Sequence, residues 1–71
     1  MRNTQTKYAN NLKEYRIKSG LKQKDVAHQL GCESESRICR WERGQSFPNV
    51  PNLLKLAKIY AVTPSDLYPD M

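Results

Sequence analysis

Three short stretches with helical apolar spacing each end at a glycine, and this punctuation constrains the 71-residue chain more than any other feature. Between residues 7 and 19, Tyr8, Leu12 and Tyr15 recur at helical intervals and mark one covered face, and Gly20 stands where helices commonly stop. Leu21 follows as a core anchor. Val26, Ala27 and Leu30 give a second helix from 23 to 30, which Gly31 closes. A third helix is expected from Ser34, a capping residue, to Arg43, with Ile38 and Trp41 facing inward and Gly44 after it. Helix, glycine turn, helix is the layout of a helix-turn-helix.

The remaining third of the chain continues in the same mode. The stretch Gln45-Ser46-Phe47-Pro48 has no period and reads as a loop. Asn49 caps a fourth helix through Tyr60, with Pro51 tolerated in its first turn and Leu53, Leu54, Leu56 and Ala57 as its apolar content. Thr63-Pro64-Ser65-Asp66 signals a last short helix: a cap, a proline at the first position and an acid at the third. Leu67 anchors it. No alternating run is long enough for a strand, and nothing repeats. The expected fold is all-α, a bundle of five short helices spanning residues 7–68, with loose polar tails at 1–6 and 69–71.

Charge and composition narrow the function. Twelve Lys and Arg against seven Asp and Glu leave a net charge of +5 and a pI near 9.5, which points to a polyanionic partner. A mean hydropathy of −0.81 and the absence of a long apolar run argue against a membrane span or a secretory leader. Cys32 and Cys39 lack C-x-x-C spacing, and His28 is the single histidine, so a metal site is unsupported. Both cysteines read as small packing residues in a reducing cytoplasm. No nucleophile and base are paired in the sequence, so neither an enzyme nor a cofactor or small-molecule ligand is expected.

At this point the residues resemble a known family. Leu21-Lys22-Gln23-Lys24-Asp25-Val26-Ala27-His28-Gln29-Leu30-Gly31, followed by Ile38-Cys39-Arg40-Trp41-Glu42-Arg43-Gly44, resembles the phage repressor/Cro (Xre) helix-turn-helix family. Leu53-Leu54-Lys55-Leu56-Ala57-Lys58, with Val62-Thr63 and Leu67, is similar to that family's fourth and fifth helices. The match runs over roughly residues 11–68, and the order and spacing of these segments carry it. Three departures stand out. The interval from Gly31 to Trp41 is one residue longer than the family's usual spacing, the extra residue falling in Cys32-Glu33-Ser34 before the third helix. Lys22 replaces a Ser or Thr cap, and Ala61 replaces a glycine after the fourth helix, where a Cβ at positive φ is strained.

The resemblance implies a repressor-like regulator that binds double-stranded DNA, with the third helix in the major groove. If Ile38 and Trp41 face the core, then Glu35, Ser36, Arg37, Arg40 and Arg43 face outward, beside the cap Ser34. Arg40 is suited to grip guanine O6 and N7, Ser36 to bond a base or phosphate, and Glu35 to exclude wrong sequences or cap the helix. In the resembled family the residue at Gln23 bonds a backbone phosphate, and Lys22, Lys24, Arg37 and Arg43 supply charge there. Gln45 and Ser46 are placed to offer loop amides to a phosphate. The resemblance also implies an ion pair between Arg16 and Glu42. Trp41 is core and no stacking platform, Tyr8, Tyr15, Tyr60 and Tyr68 are too scattered to stack bases, and His28 is exposed and passive. A homodimer through the C-terminal helices is expected, because one helix reads few base pairs. The rival reading is a protein-interaction module, such as an antitoxin or accessory subunit, with DNA contact secondary.

Overall fold

The computed structural model describes residues 7–31 and 34–70. The expected tail at 1–6, Cys32, Glu33 and Met71 lie outside the described residues. Five helices follow in order: α1 (Leu12–Lys18), α2 (Gln23–Leu30), α3 (Ser36–Glu42), α4 (Val50–Tyr60) and α5 (Pro64–Leu67). Among the described residues there is no strand. None of these helices is long and apolar enough to cross a membrane.

One core joins all five. Leu12 of α1, Val26, Ala27 and Leu30 of α2, Ile38 and Trp41 of α3, Leu56, Ala57 and Tyr60 of α4, and Leu67 of α5 are buried together with Tyr68. Helix α2 packs on α3 and α4, α4 on α5, and α1 on α3. Leu12, Val26, Ile38, Leu56 and Leu67 are essentially inaccessible. Burying side chains of this kind is worth about 1.5–3 kcal/mol each, which is how a short chain holds five helices without a disulfide among its described residues.

Two helix starts differ from the periodicity reading. Helix α1 begins at Leu12 and not near residue 7, because the segment before it spends its donors elsewhere. The N–H groups of Lys7 and Tyr8 both donate to Gly44 O, at 2.9 and 3.0 Å, and Asn11 N–H donates to Leu67 O at 2.9 Å. Asn10 Oδ1 then caps Leu12 N–H at 3.0 Å, while its Nδ2 donates to Tyr8 O and Trp41 O. Residues 7–11 are therefore a strap over the ends of α3 and α5. Helix α3 begins at Ser36 and not Ser34, since Ser34 Oγ accepts the Ser36 N–H at 3.1 Å from outside the helix. Asn49 and Thr63 cap α4 and α5 through side-chain oxygens, accepting from Asn52 N–H and Asp66 N–H.

Three helices end in the same way. After α1, Gly20 N–H donates to Ile17 O and Leu21 N–H to Arg16 O; after α3, Gly44 and Gln45 do the same to Trp41 and Arg40. This is the Schellman ending, which needs a left-handed residue, and Gly20 and Gly44 supply it at φ of 72° and 76°. After α4 the same pair of bonds runs from Ala61 and Val62 to Lys58 and Ala57, with Ala61 at φ 57°. A left-handed alanine costs roughly 1 kcal/mol. Ala61→Gly is therefore expected to raise stability by about 0.5 kcal/mol after the added freedom of the unfolded chain is counted. A thermal melt with an unchanged or lower midpoint would contradict this.

Tyr60, at the end of α4, and Tyr68, just past α5, are both buried in the core. Phe47 packs between Tyr8 and Tyr68, at ring-centroid separations of 5.5 and 4.6 Å. The hydroxyls of Tyr60 and Tyr68 have no hydrogen-bond partner among the described residues. Burial pushes the Tyr68 phenol up to about 12, and the Tyr60 phenol moves in the same direction from burial and the neighbouring Glu42 charge. The fold thus favours the protonated phenol. Stability is expected to be flat below pH 10.0, the ordinary tyrosine value, and to fall as pH rises from there toward 12. Tyr68→Phe removes an unsatisfied buried group, so it should be neutral or stabilising by about 1 kcal/mol and should shrink that alkaline loss. Alkaline titration followed by tyrosinate absorbance and far-UV dichroism checks both statements.

Candidate nucleic-acid interface

The outward side of α3 follows from what its inward side buries. Ile38 is 1% and Trp41 4% exposed, so Ser36, Arg37 and Arg40 are turned to solvent, and Arg43 is exposed just past the helix end. Cys39 lies half-buried between these faces as a free thiol. An open cavity of about 790 Å³ runs alongside, lined by Ser34, Arg37, Arg40, Ser46, Asn49 and Asn52 among its polar residues and by Trp41. Asn52 is half-buried there, and the sequence reading missed it; a lone polar residue three positions after the α4 cap was the available signal.

Several of the expected contacts are modified by their hydrogen bonds. Ser36 Oγ lies 2.6 Å from Ser34 Oγ, so each hydroxyl already has one partner. Glu35 is exposed and makes no side-chain cap, which removes the capping role considered for it. The Gln45 amide is not open to a phosphate: it donates to Arg40 O at 3.0 Å in the Schellman ending of α3, and only the Gln45 side chain is exposed. Of the segment expected to hold an extra residue, Cys32-Glu33-Ser34, the first two lie outside the described residues. Beyond it, Ile38 and Trp41 are on the buried face.

At the other end of the motif, α2 starts with Lys22 in an extended conformation. Lys22 supplies no side-chain cap, but its N–H donates to the Asp25 carboxylate at 2.9 Å, which compensates for the missing Ser or Thr. Lys22 and Lys24 are exposed, His28 likewise, and Gln23 is half-buried between the lysines. The first-turn N–H groups of a helix have no intrahelical acceptor and carry partial positive charge, so this end of α2 favours an anion.

Arg16 and Glu42 lie beneath this end. Arg16 Nε donates to Glu42 Oε2 at 2.6 Å and Nη2 to Oε1 at 3.2 Å, with side-chain exposures of 12% and 4%. The Glu42 hydrogen bond holds the guanidinium pKa above its ordinary value. Arg16 Nη1 also donates to Leu21 O at 3.0 Å in the α1–α2 turn. Glu42 is thereby neutralised, and the outer face carries Lys22, Lys24, Arg37, Arg40 and Arg43 against the exposed acid Glu35. Among the described residues no group of three or more His, Cys, Asp and Glu side chains could hold a metal ion.

Known structures share this fold. A Bacteroides fragilis protein assigned as DNA-binding is 31% identical and superposes with a TM-score of 0.73, over 82% of this chain and 92% of its own. The restriction-modification controller protein C.AhdI from Aeromonas hydrophila is 34% identical with a TM-score of 0.70, over 82% and 86% of the two chains. The Neisseria protein NHTF, 24% identical at a TM-score of 0.69 over 82% and 66%, shares the fold. No curated protein matches the chain at a significant level. The model of the helix-turn-helix family matches residues 12–67, which takes in every helix of the bundle. With the partly buried Arg16–Glu42 pair, the outward arginines of α3 and that match together, the chain belongs to the helix-turn-helix family of repressor/Cro (Xre) type.

Proposed function

We propose that the chain binds double-stranded DNA sequence-specifically as a transcriptional regulator, with residues 7–68 as the binding domain and α3 in the major groove. The observation that carries this is the solvent-facing pair Arg37 and Arg40 on α3, opposite buried Ile38 and Trp41, beside an open cavity with polar walls. Arg40 reads a guanine; Arg37, Arg43, Lys22 and Lys24 meet phosphates; Gln23 bonds the backbone at the start of α2. Ser34, Ser36, Ser46, Asn52 and the side chain of Gln45 line the path of the strand, and Glu35 penalises sequences that bring a phosphate near it. The DNA-binding assignment of the Bacteroides fragilis protein and the controller role of C.AhdI support this reading.

Two copies act together. Val50 and Leu54 stand one turn apart on α4 at 65% and 54% exposure, an apolar pair suited to a second copy. A two-fold dimer presents two α3 helices about 34–36 Å apart to a palindromic site. The rival interaction module calls for a large exposed apolar patch away from α3 or a missing basic face around it; Val50 and Leu54 form only a pair, and Arg37 and Arg40 make the outer face of α3 basic. Selection of bound duplexes from a random library, followed by a salt titration of the winner, tests the proposal. A palindromic motif and a steep salt slope are the expected result; no enrichment, or binding indifferent to salt, would refute it.

A further inference from the structure

The Glu42 carboxylate does more than close an ion pair. Its Oε1 accepts from Gln23 Nε2 at 3.1 Å as well as from Arg16 Nη2, so one buried acid holds a guanidinium and the first side chain of α2 at once. We propose that Glu42 is a positioning residue for DNA binding, holding the Gln23 amide in place so that its second N–H meets a backbone phosphate. The inference rests on the reading of Gln23 as a phosphate contact.

Three features carry it. First, a carboxylate accepts and never donates, so it must face the nitrogen of the Gln23 amide and not its oxygen. The amide is thereby oriented as a donor, which is what a phosphate needs. Second, a free glutamine side chain loses its rotamer freedom when it binds, and one already held by a bond loses less, which favours association. Gln23 is half-buried and held, whereas its neighbours Lys22 and Lys24 are exposed. Third, an acid near a phosphate ordinarily repels it, but Arg16 neutralises Glu42 through two hydrogen bonds, so Glu42 orients Gln23 at little electrostatic cost. The Arg16 bond to Leu21 O fixes the turn that carries α2, so backbone and side chain at this end are set by the same pair.

The test is a mutant cycle on the full chain, bound to the selected duplex at one salt concentration. Gln23→Ala is measured alone and in an Arg16→Met/Glu42→Leu background, which removes the acceptor and leaves no buried charge unpaired. Lys24→Ala is the control in both, and thermal melts establish that each variant is folded. In the native background Gln23→Ala should weaken binding about tenfold, the worth of one charge-assisted hydrogen bond. In the apolar background the same change should cost less than about twofold, because an unheld Gln23 contributes little. Lys24→Ala should cost the same in both. An equal Gln23→Ala loss in the two backgrounds overturns the positioning role and leaves the phosphate contact standing. No loss in either overturns the contact and the proposal with it. A loss that shrinks for Lys24 as well as Gln23 shows a general displacement of α2 and also overturns it. Side-chain amide NMR of the unmodified protein gives a readout independent of any variant. Gln23 NH₂ protons should stand apart from the mobile glutamines before DNA is added and shift on its addition; averaged resonances in the free protein would refute the inference.

Discussion

Arg16→Ala is expected to destabilise the protein by about 3–5 kcal/mol, because it leaves Glu42 buried and charged without its partner. Glu42's side chain is 4% exposed and accepts from Arg16 through both oxygens. After the deletion the Gln23 amide still donates to it. The missing guanidinium also frees Leu21 O in the α1–α2 turn. A domain of this size has about 4–11 kcal/mol in all, so the loss takes a large share. At about 4–8 °C per kcal/mol the melting midpoint should fall by about 12 °C or more, and a substantial unfolded fraction at ambient temperature is the expected extreme. Replacing both partners, Arg16→Met with Glu42→Leu, should recover most of the loss, since no uncompensated charge remains. An unchanged midpoint in the single variant would show that the pair is solvated and inconsequential.

The second large effect is on recognition. Arg40→Ala should weaken binding to the preferred duplex by about 1–3 kcal/mol and relax the base choice at one position in each half-site. The side chain leaves α3 on its exposed side, one residue before buried Trp41 and two after buried Ile38. Its backbone is fixed from the other direction, because Arg40 O accepts the Gln45 N–H that closes the helix. The guanidinium thus projects from a rigid base toward the polar cavity that it helps to line. Lys24→Ala, at the exposed start of α2, is the comparison: it should weaken selected and random duplexes alike and lower the salt slope by about one. Equal losses for Arg40→Ala on both duplexes would mean that it clamps a phosphate and reads no base.

Both predictions draw on features of unequal visibility in the sequence. The inward pairing of Ile38 with Trp41 follows from their spacing alone, and with it the outward place of Arg40. The Arg16–Glu42 pair is different: no periodicity links residues 26 positions apart, and the family resemblance suggested what the side-chain geometry shows. Its third member, Gln23, gave no signal, because an amide at the start of α2 looks the same whether or not an acid stands behind it. The Gln45 amide illustrates the reverse case. A loop glutamine reads as an open donor, yet the Schellman bond occupies it once Gly44 turns left-handed.

What this sequence determined by itself is local: the apolar stripes of five helices, the Asn49 and Thr63 caps, and the stops at Gly20, Gly31 and Gly44. Each depends on side chains and dihedrals within about one helical turn, so the residue types suffice. Tertiary structure alone decided where Lys7, Tyr8 and Asn11 send their N–H groups, and hence that α1 begins at Leu12. It also decided that Tyr60 and Tyr68 are buried, and that Glu42 reaches Gln23 across the motif. In each of these cases a donor, ring or charge is satisfied by a group distant along the chain, and only the packing of the five helices brings the two within a few ångströms.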